Sequence, residues 1–147
     1  MISLRELLGE NNLAEIPHEH QINLEYLQEA LNKFRQAYGH PMIVTSGYRT
    51  PQQHRRIYGD PSDPHKVIPL KSNHLYGLAC DFADPDLKLV DFILGNKNLC
   101  EEWGLYFEDF NYTPGWVHMQ IVPPASKRRA FVPYSGPPKR NVWNGIW

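Results

Sequence analysis

Between Ile22 and Tyr38, apolar side chains fall at Leu24, Leu27, Leu31, Phe34 and Tyr38, three or four residues apart. That spacing is one face of an α-helix and predicts a stripe turned towards a core. Gly39 supplies the stop. Ser3-Leu4-Arg5-Glu6 has capping-box spacing and opens a short helix that Gly9 ends. Thr50-Pro51-Gln52-Gln53 combines an N-cap, a proline at the first helical position and a glutamine that closes a capping box, which predicts a helix to about Tyr58. A further helix is expected from Asp86 to Leu94, continuing towards Glu101.

Strands are expected at Met42–Thr45, Leu78–Ala83, Leu105–Phe107 and Trp116–Val122. Asn111 to Gly115 forms the turn before the last of these, and Gly59 to Pro69, with Asp60-Pro61 and Asp63-Pro64, reads as a loop. Helices and strands mix irregularly, so the fold class is α+β rather than alternating β-α-β. Residues two apart on a strand share a face. Ala79, Asp81 and Ala83 therefore point one way, and Leu78, Cys80 and Phe82 point into the core. Trp116, His118 and Gln120 likewise oppose Val117, Met119 and Ile121.

A chain of 147 residues, 41% hydrophobic and 21% charged, fits a single domain over 1–147 with a real core. Residues 123–147 read as a C-terminal extension rich in Pro, Lys and Arg. Its Phe131, Tyr134, Trp143 and Trp147 are expected to pack on the body or on a partner. A net charge of −1 gives no basic footprint for nucleic acid. No apolar run reaches membrane-spanning length. The N-terminus lacks the layout of a signal peptide, so synthesis in the cytoplasm is expected. Cys80 and Cys100 are too few for a disulfide scaffold and read as free, buried thiols.

The candidate chemistry lies on the two alternating strands. His74, Asp81 and His118 offer two imidazoles and one carboxylate, and three ligands with a fourth position open is the plan of a catalytic zinc site. Alanines on either side of Asp81 leave room for an ion, and Gly77 suits a turn that a side chain would obstruct. Gln120 is expected either to support the ligands or to contact substrate, and Trp116 shares its face. Ser46-Gly47-Tyr48-Arg49 offers a cation upstream. The remaining histidines are weaker candidates. His18-Glu19-His20 reads as a solvated loop before the long helix, and His40, His54 and His65 default to the surface.

Taken together, Ser46-Gly47-Tyr48-Arg49, Ser72-x-His74-x-x-Gly77-x-Ala79-x-Asp81 and Trp116-Val117-His118 resemble the zinc D-Ala-D-Ala carboxypeptidase and L-alanyl-D-glutamate endopeptidase family. Phage endolysins belong to that family, and hedgehog signalling domains share its fold. The resemblance runs from about Leu24 to Val122. It implies a small antiparallel sheet with helices mainly on one side, and Zn2+ held by His74, Asp81 and His118. It makes Arg49 the contact for the substrate carbonyl or oxyanion, and Ser72 a residue lining the site. One position departs from the pattern. Many members carry the acidic general base three residues before the last histidine ligand, where this chain has Gly115. Glu108, at the end of the Leu105–Phe107 strand, is the candidate replacement, with Asp109 on the opposite face as the alternative.

The resemblance implies hydrolysis of amide bonds in peptidoglycan stem peptides through a zinc-activated water, either as a carboxypeptidase or as an endopeptidase. Such a protein would reach the bacterial cell wall after lysis or by phage delivery. Metal loss is expected as pH falls below roughly 6.5 and the imidazoles protonate. Two rival readings keep the same fold. One is a non-catalytic zinc-containing binding module, and the other is a virion structural component docked through its aromatic tail.

Overall fold

The computed structural model describes residues 1–59 and 72–147. The loop expected at Gly59–Pro69 therefore falls almost wholly outside the described residues, as does His65. The helices are α1 (Leu4–Leu8), α2 (His18–Tyr38), α3 (Pro51–Tyr58), α4 (Lys88–Gly95) and α5 (Lys97–Glu102). Single 3-10 turns cover Leu13–Glu15 and Asn73–Tyr76. The strands are β1 (Val44–Ser46), β2 (Ala79–Ala83), β3 (Tyr106–Glu108), β4 (Trp116–Gln120) and β5 (Ala130–Phe131). They form one sheet in the order β1-β2-β4-β3-β5. The fold is α+β, with antiparallel pairing throughout except where β5 runs parallel to β3.

Local chemistry accounts for most of these boundaries. Both predicted capping boxes form, Ser3 with Glu6 and Thr50 with Gln53, and each satisfies backbone donors that a helix start leaves open. Gly39 ends α2 in the left-handed conformation. That helix begins one turn earlier than its apolar stripe suggests, so His18-Glu19-His20 is helical rather than loop. Pro17, whose missing N–H costs nothing before a first turn, precedes a polar turn that hydrophobic periodicity cannot reveal. The helix expected from Asp86 towards Glu101 breaks at Asn96 into α4 and α5. Buried Asp84 caps α4, accepting from the backbone N–H of Leu89 (2.9 Å) and Val90 (3.1 Å).

One core joins the α2 stripe to the inward residues Cys80, Phe82, Phe107, Val117 and Met119, together with Leu89, Val90 and Ile93 of α4. Cys80 and Cys100 are buried and unpaired, and burial pushes both thiols up, Cys100 to about 12. They are protonated packing residues rather than nucleophiles. The tail folds back onto this body. Trp143 is buried and donates from Nε1 to Asp109 Oδ1 at 2.9 Å. Trp147 stacks on Phe107 with ring centroids 5.6 Å apart and donates to Glu101 at 2.8 Å. Among the described residues no helix is long and apolar enough to cross a membrane.

Candidate metal centre

The face of the sheet opposite the core carries the polar set. Strand alternation and register bring it together. Asp81 on β2 is the direct partner of His118 on β4, flanked by Ala79 opposite Gln120 and Ala83 opposite Trp116. His74 arrives from the 3-10 turn before β2. Ser72 caps that turn, its Oγ accepting from the His74 backbone N–H at 3.4 Å, and Gly77 ends it with φ +75°. A Cβ on Gly77 would stand 2.9 Å from both the His20 carbonyl and the Leu24 side chain, so the turn packs against α2 only because position 77 is bare.

His74, Asp81 and His118 are all buried, and their ligand atoms lie within 4.8 Å of one another. Asp81 Oδ1 is 3.2 Å from His74 Nε2 and 2.8 Å from His118 Nδ1. Each imidazole has its far nitrogen tied back. His74 Nδ1 donates to the Gly47 carbonyl at 2.8 Å, and His118 Nε2 donates to Gln120 Oε1 at 2.8 Å. Gln120 Nε2 in turn donates to the Val122 carbonyl at 2.7 Å, which fixes the amide so that its oxygen faces His118. The far nitrogens are tied back as they are in metal-ligating histidines, which leaves His74 Nε2 and His118 Nδ1 converging with Asp81 Oδ1.

These residues fit a divalent metal. Burial lowers the His74 pKa despite Asp81, so its ring is neutral. Its single N–H is committed to Gly47, which leaves a lone pair on Nε2 facing a carboxylate oxygen at 3.2 Å. Two acceptors in that position call for a cation between them. Tetrahedral bonds of about 2.0–2.1 Å would set donor atoms about 3.3 Å apart, close to this spacing. Without a metal, other charges compensate. Burial opposes the charged forms of Asp81 and His118, but His74 and His118 around Asp81, and Glu108 and Asp81 around His118, outweigh it. Asp81 is held well below the usual carboxylate range, and Glu108, Asp81 and Gln120 hold His118 up at about 9.

The Ser46–Arg49 segment forms one wall. A break in register between Val44 and Ser46 sets Ser46 opposite Asp81. Ser46 Oγ accepts from Arg49 Nε at 2.8 Å, and Arg49 Nη2 is 3.5 Å from Asp81 Oδ2. His54, expected at the surface, is instead buried: its Nδ1 is 3.4 Å from Arg49 Nη1, and its ring packs on Tyr58 with centroids 4.6 Å apart. It lies on the inner side of α3, whose polar composition hides which face turns inward. His20 on α2 reaches the same segment, with Nδ1 2.9 Å from the Tyr48 hydroxyl. His40 is exposed as expected.

Glu108 lies on the ligand face, its Oε1 3.9 Å from His118 Nδ1. Burial raises its pKa, against the pull of His118 and Arg49. Asp109 faces the other way, and its Oδ1 accepts from the Trp143 indole and from the Asn111 N–H at 2.9 Å each. Gly115 is exposed and brings no side chain. Trp116 is half-buried beside Ala83 on the ligand face. Gln120 is 2% exposed with both ends of its amide engaged, which gives it an orienting position behind His118. Sequence reasoning missed four contributors: Ser46, the Gly47 carbonyl, His54 and Phe131, whose ring meets His118 edge-on at 6.2 Å. Only the first two had a signal, their place in the Ser-Gly-Tyr-Arg motif.

Metal-dependent hydrolases combine a buried nitrogen-and-oxygen donor set with a spare carboxylate and a cation on the same face, and that is the class this fold and site define. Comparison with protein families makes it specific: residues 4–119 match the family model described as Peptidase M15, and the chain belongs to that family of peptidases. No curated protein and no solved structure matches the chain significantly.

Proposed function

We propose that this protein is a zinc peptidase that hydrolyses an amide bond in the stem peptides of bacterial peptidoglycan, acting at the cell wall. The observation that carries the reading is the His74–Asp81–His118 donor set with Glu108 3.9 Å from His118 Nδ1. Its resemblance to D-Ala-D-Ala carboxypeptidases and L-alanyl-D-glutamate endopeptidases supplies the substrate class. Two imidazoles and a carboxylate suit zinc and leave a fourth position open.

When bound, the ion supplies Lewis acidity, polarising a carbonyl and lowering the pKa of water towards about 7. Glu108 takes the proton from the attacking water and returns it to the leaving amine, and its raised pKa brings it nearer the working pH of such a base. Arg49 is held at Nε by Ser46 and at Nη1 by His54, which leaves Nη2 turned to the ligand face. There it meets the negative charge that develops on the carbonyl oxygen. Gly47 and Gln120 keep the two histidines in the tautomers that face Asp81.

The lack of an acid at Gly115 favours the rival reading, a binding module without catalysis, and Glu108 is what separates the two. The test is peptide release from purified peptidoglycan, before and after chelation and zinc restoration. The proposal expects release that chelation abolishes and zinc restores. Release indifferent to chelation, or absent with zinc fully bound, would overturn it.

A further inference from the structure

The family match ends at residue 119, yet the chain beyond it reaches the site. β5 lies parallel to β3 with Phe131 in register with Glu108, and ladder partners direct their side chains to one face. The edge-on contact of Phe131 with His118, at 90° between ring planes, places the aromatic ring on the ligand side. The segment is firmly attached. Phe107 N–H donates to the Arg129 carbonyl at 2.8 Å, and Asp109 N–H donates to the Phe131 carbonyl at 2.7 Å. The Arg129 guanidinium stacks 4.1 Å from the Tyr106 ring centre and donates to the Leu105 carbonyl at 3.0 Å.

We propose that Phe131 is a specificity-determining residue, an apolar wall beside Glu108 that accepts an uncharged aliphatic side chain of the substrate next to the scissile bond. The inference rests on the peptidase reading above. On the β3–β5 side of the donor set Phe131 stands beside the Glu108 carboxylate, and the Arg49 guanidinium faces Asp81 from the β1 side, while Trp116 lies by Ala83 on the β2–β4 ladder. Phe131 is half-buried, so its ring retains surface for a ligand to cover. An aliphatic group laid there leaves water for an aromatic face, whereas an acidic one meets the Glu108 carboxylate. The C-terminal segment is thereby part of the catalytic unit.

The test compares zinc-loaded wild type, Phe131→Ala and Phe131→Leu on N-acetylated peptides carrying Ala, Leu or Asp at the residue flanking the scissile bond. The expected result is a KM raised roughly tenfold in Phe131→Ala for the Ala and Leu peptides. Zinc content and kcat should stay near wild type, and Phe131→Leu should retain most of the affinity. An unchanged KM with kcat falling in step with zinc content would overturn the proposal and leave Phe131 as packing for His118. If the wild type cleaves none of the peptides, calorimetric Kd values for the same peptides decide, and the peptidase reading is judged separately by release from peptidoglycan. A roughly tenfold weakening in Phe131→Ala supports the aromatic wall, while equal Kd values, or no binding by the wild type, refute it.

Discussion

Asp81 Oδ1 lies 2.8 Å from His118 Nδ1, directly across the β2–β4 ladder. In the metal-free protein this pair, with Glu108 nearby, keeps His118 protonated up to about 9. The nitrogen that would ligate a metal is thus the nitrogen that carries the proton. Metal uptake at neutral pH must expel it, so apparent affinity should rise about tenfold per pH unit between about 7 and 9. Calorimetric titration at pH 7.5 in buffers of different ionisation enthalpy should count close to one proton released. A count near zero would contradict the assignment of His118 Nδ1 as a ligand. The limit set by ordinary imidazole titration, near pH 6.5, is therefore too low for His118.

Stability of the metal-free protein should follow the same groups. His118 has a folded pKa above its unfolded value, so its contribution is complete below about 6.5 and is lost as pH rises through about 9. His74 and Asp81 have folded values below their unfolded ones, so their contributions are lost as pH falls, His74 first from about 6.5 and Asp81 from about 4. Urea midpoints measured in chelator should peak near pH 6.5, with the alkaline decline amounting to a few kcal/mol. Saturating zinc should remove that alkaline decline. A flat profile from pH 6.5 to 9 in chelator would contradict the ion pair.

Gln120 is a test of orientation without ligation. Gln120→Leu keeps similar bulk but removes the acceptor for His118 Nε2–H. Zinc affinity, read by chelator competition, should fall 10–100-fold. Gln120→Glu, which keeps an acceptor, should lose much less. Equal affinities in wild type and Gln120→Leu would mean that the hydrogen bond does not hold the ring.

Gly47 links α1 to the metal centre. A Cβ there would overlap the Leu7 carbonyl, which itself accepts from the Tyr48 N–H at 2.7 Å. Gly47→Ala must displace the segment and with it the carbonyl that fixes His74. A loss of about 1–3 kcal/mol is expected from the overlap, together with weaker zinc binding. Unchanged thermal unfolding and unchanged zinc affinity would show that the segment can shift freely.

What the sequence discloses here follows the periods it can encode. Two-residue alternation around Asp81 and His118 brought the donor set together, because β2 and β4 are regular and buried on one side. The apolar stripe of α2 and both capping boxes were equally readable. Contacts made by backbone atoms were less so: the Ser-Gly-Tyr-Arg motif marks Gly47, but no residue identity says that its carbonyl stands behind His74. The two-residue β5 is too short for any period, so Phe131 could be placed only by its partner strand. His54 was hidden by the polar surface of α3, and Asp109 was separable from Glu108 only once Trp143 was seen to occupy it.

The central claim is that Glu108 is the general base of a zinc peptidase, in place of an acid at Gly115. It is tested most directly by peptide release from purified peptidoglycan, with zinc content assayed in parallel, for wild type and Glu108→Gln. Zinc-dependent release by the wild type, reduced at least about 100-fold in Glu108→Gln with zinc still bound, is the predicted result. Stoichiometric zinc in both proteins with equal release, or with none from any wall preparation, would contradict it.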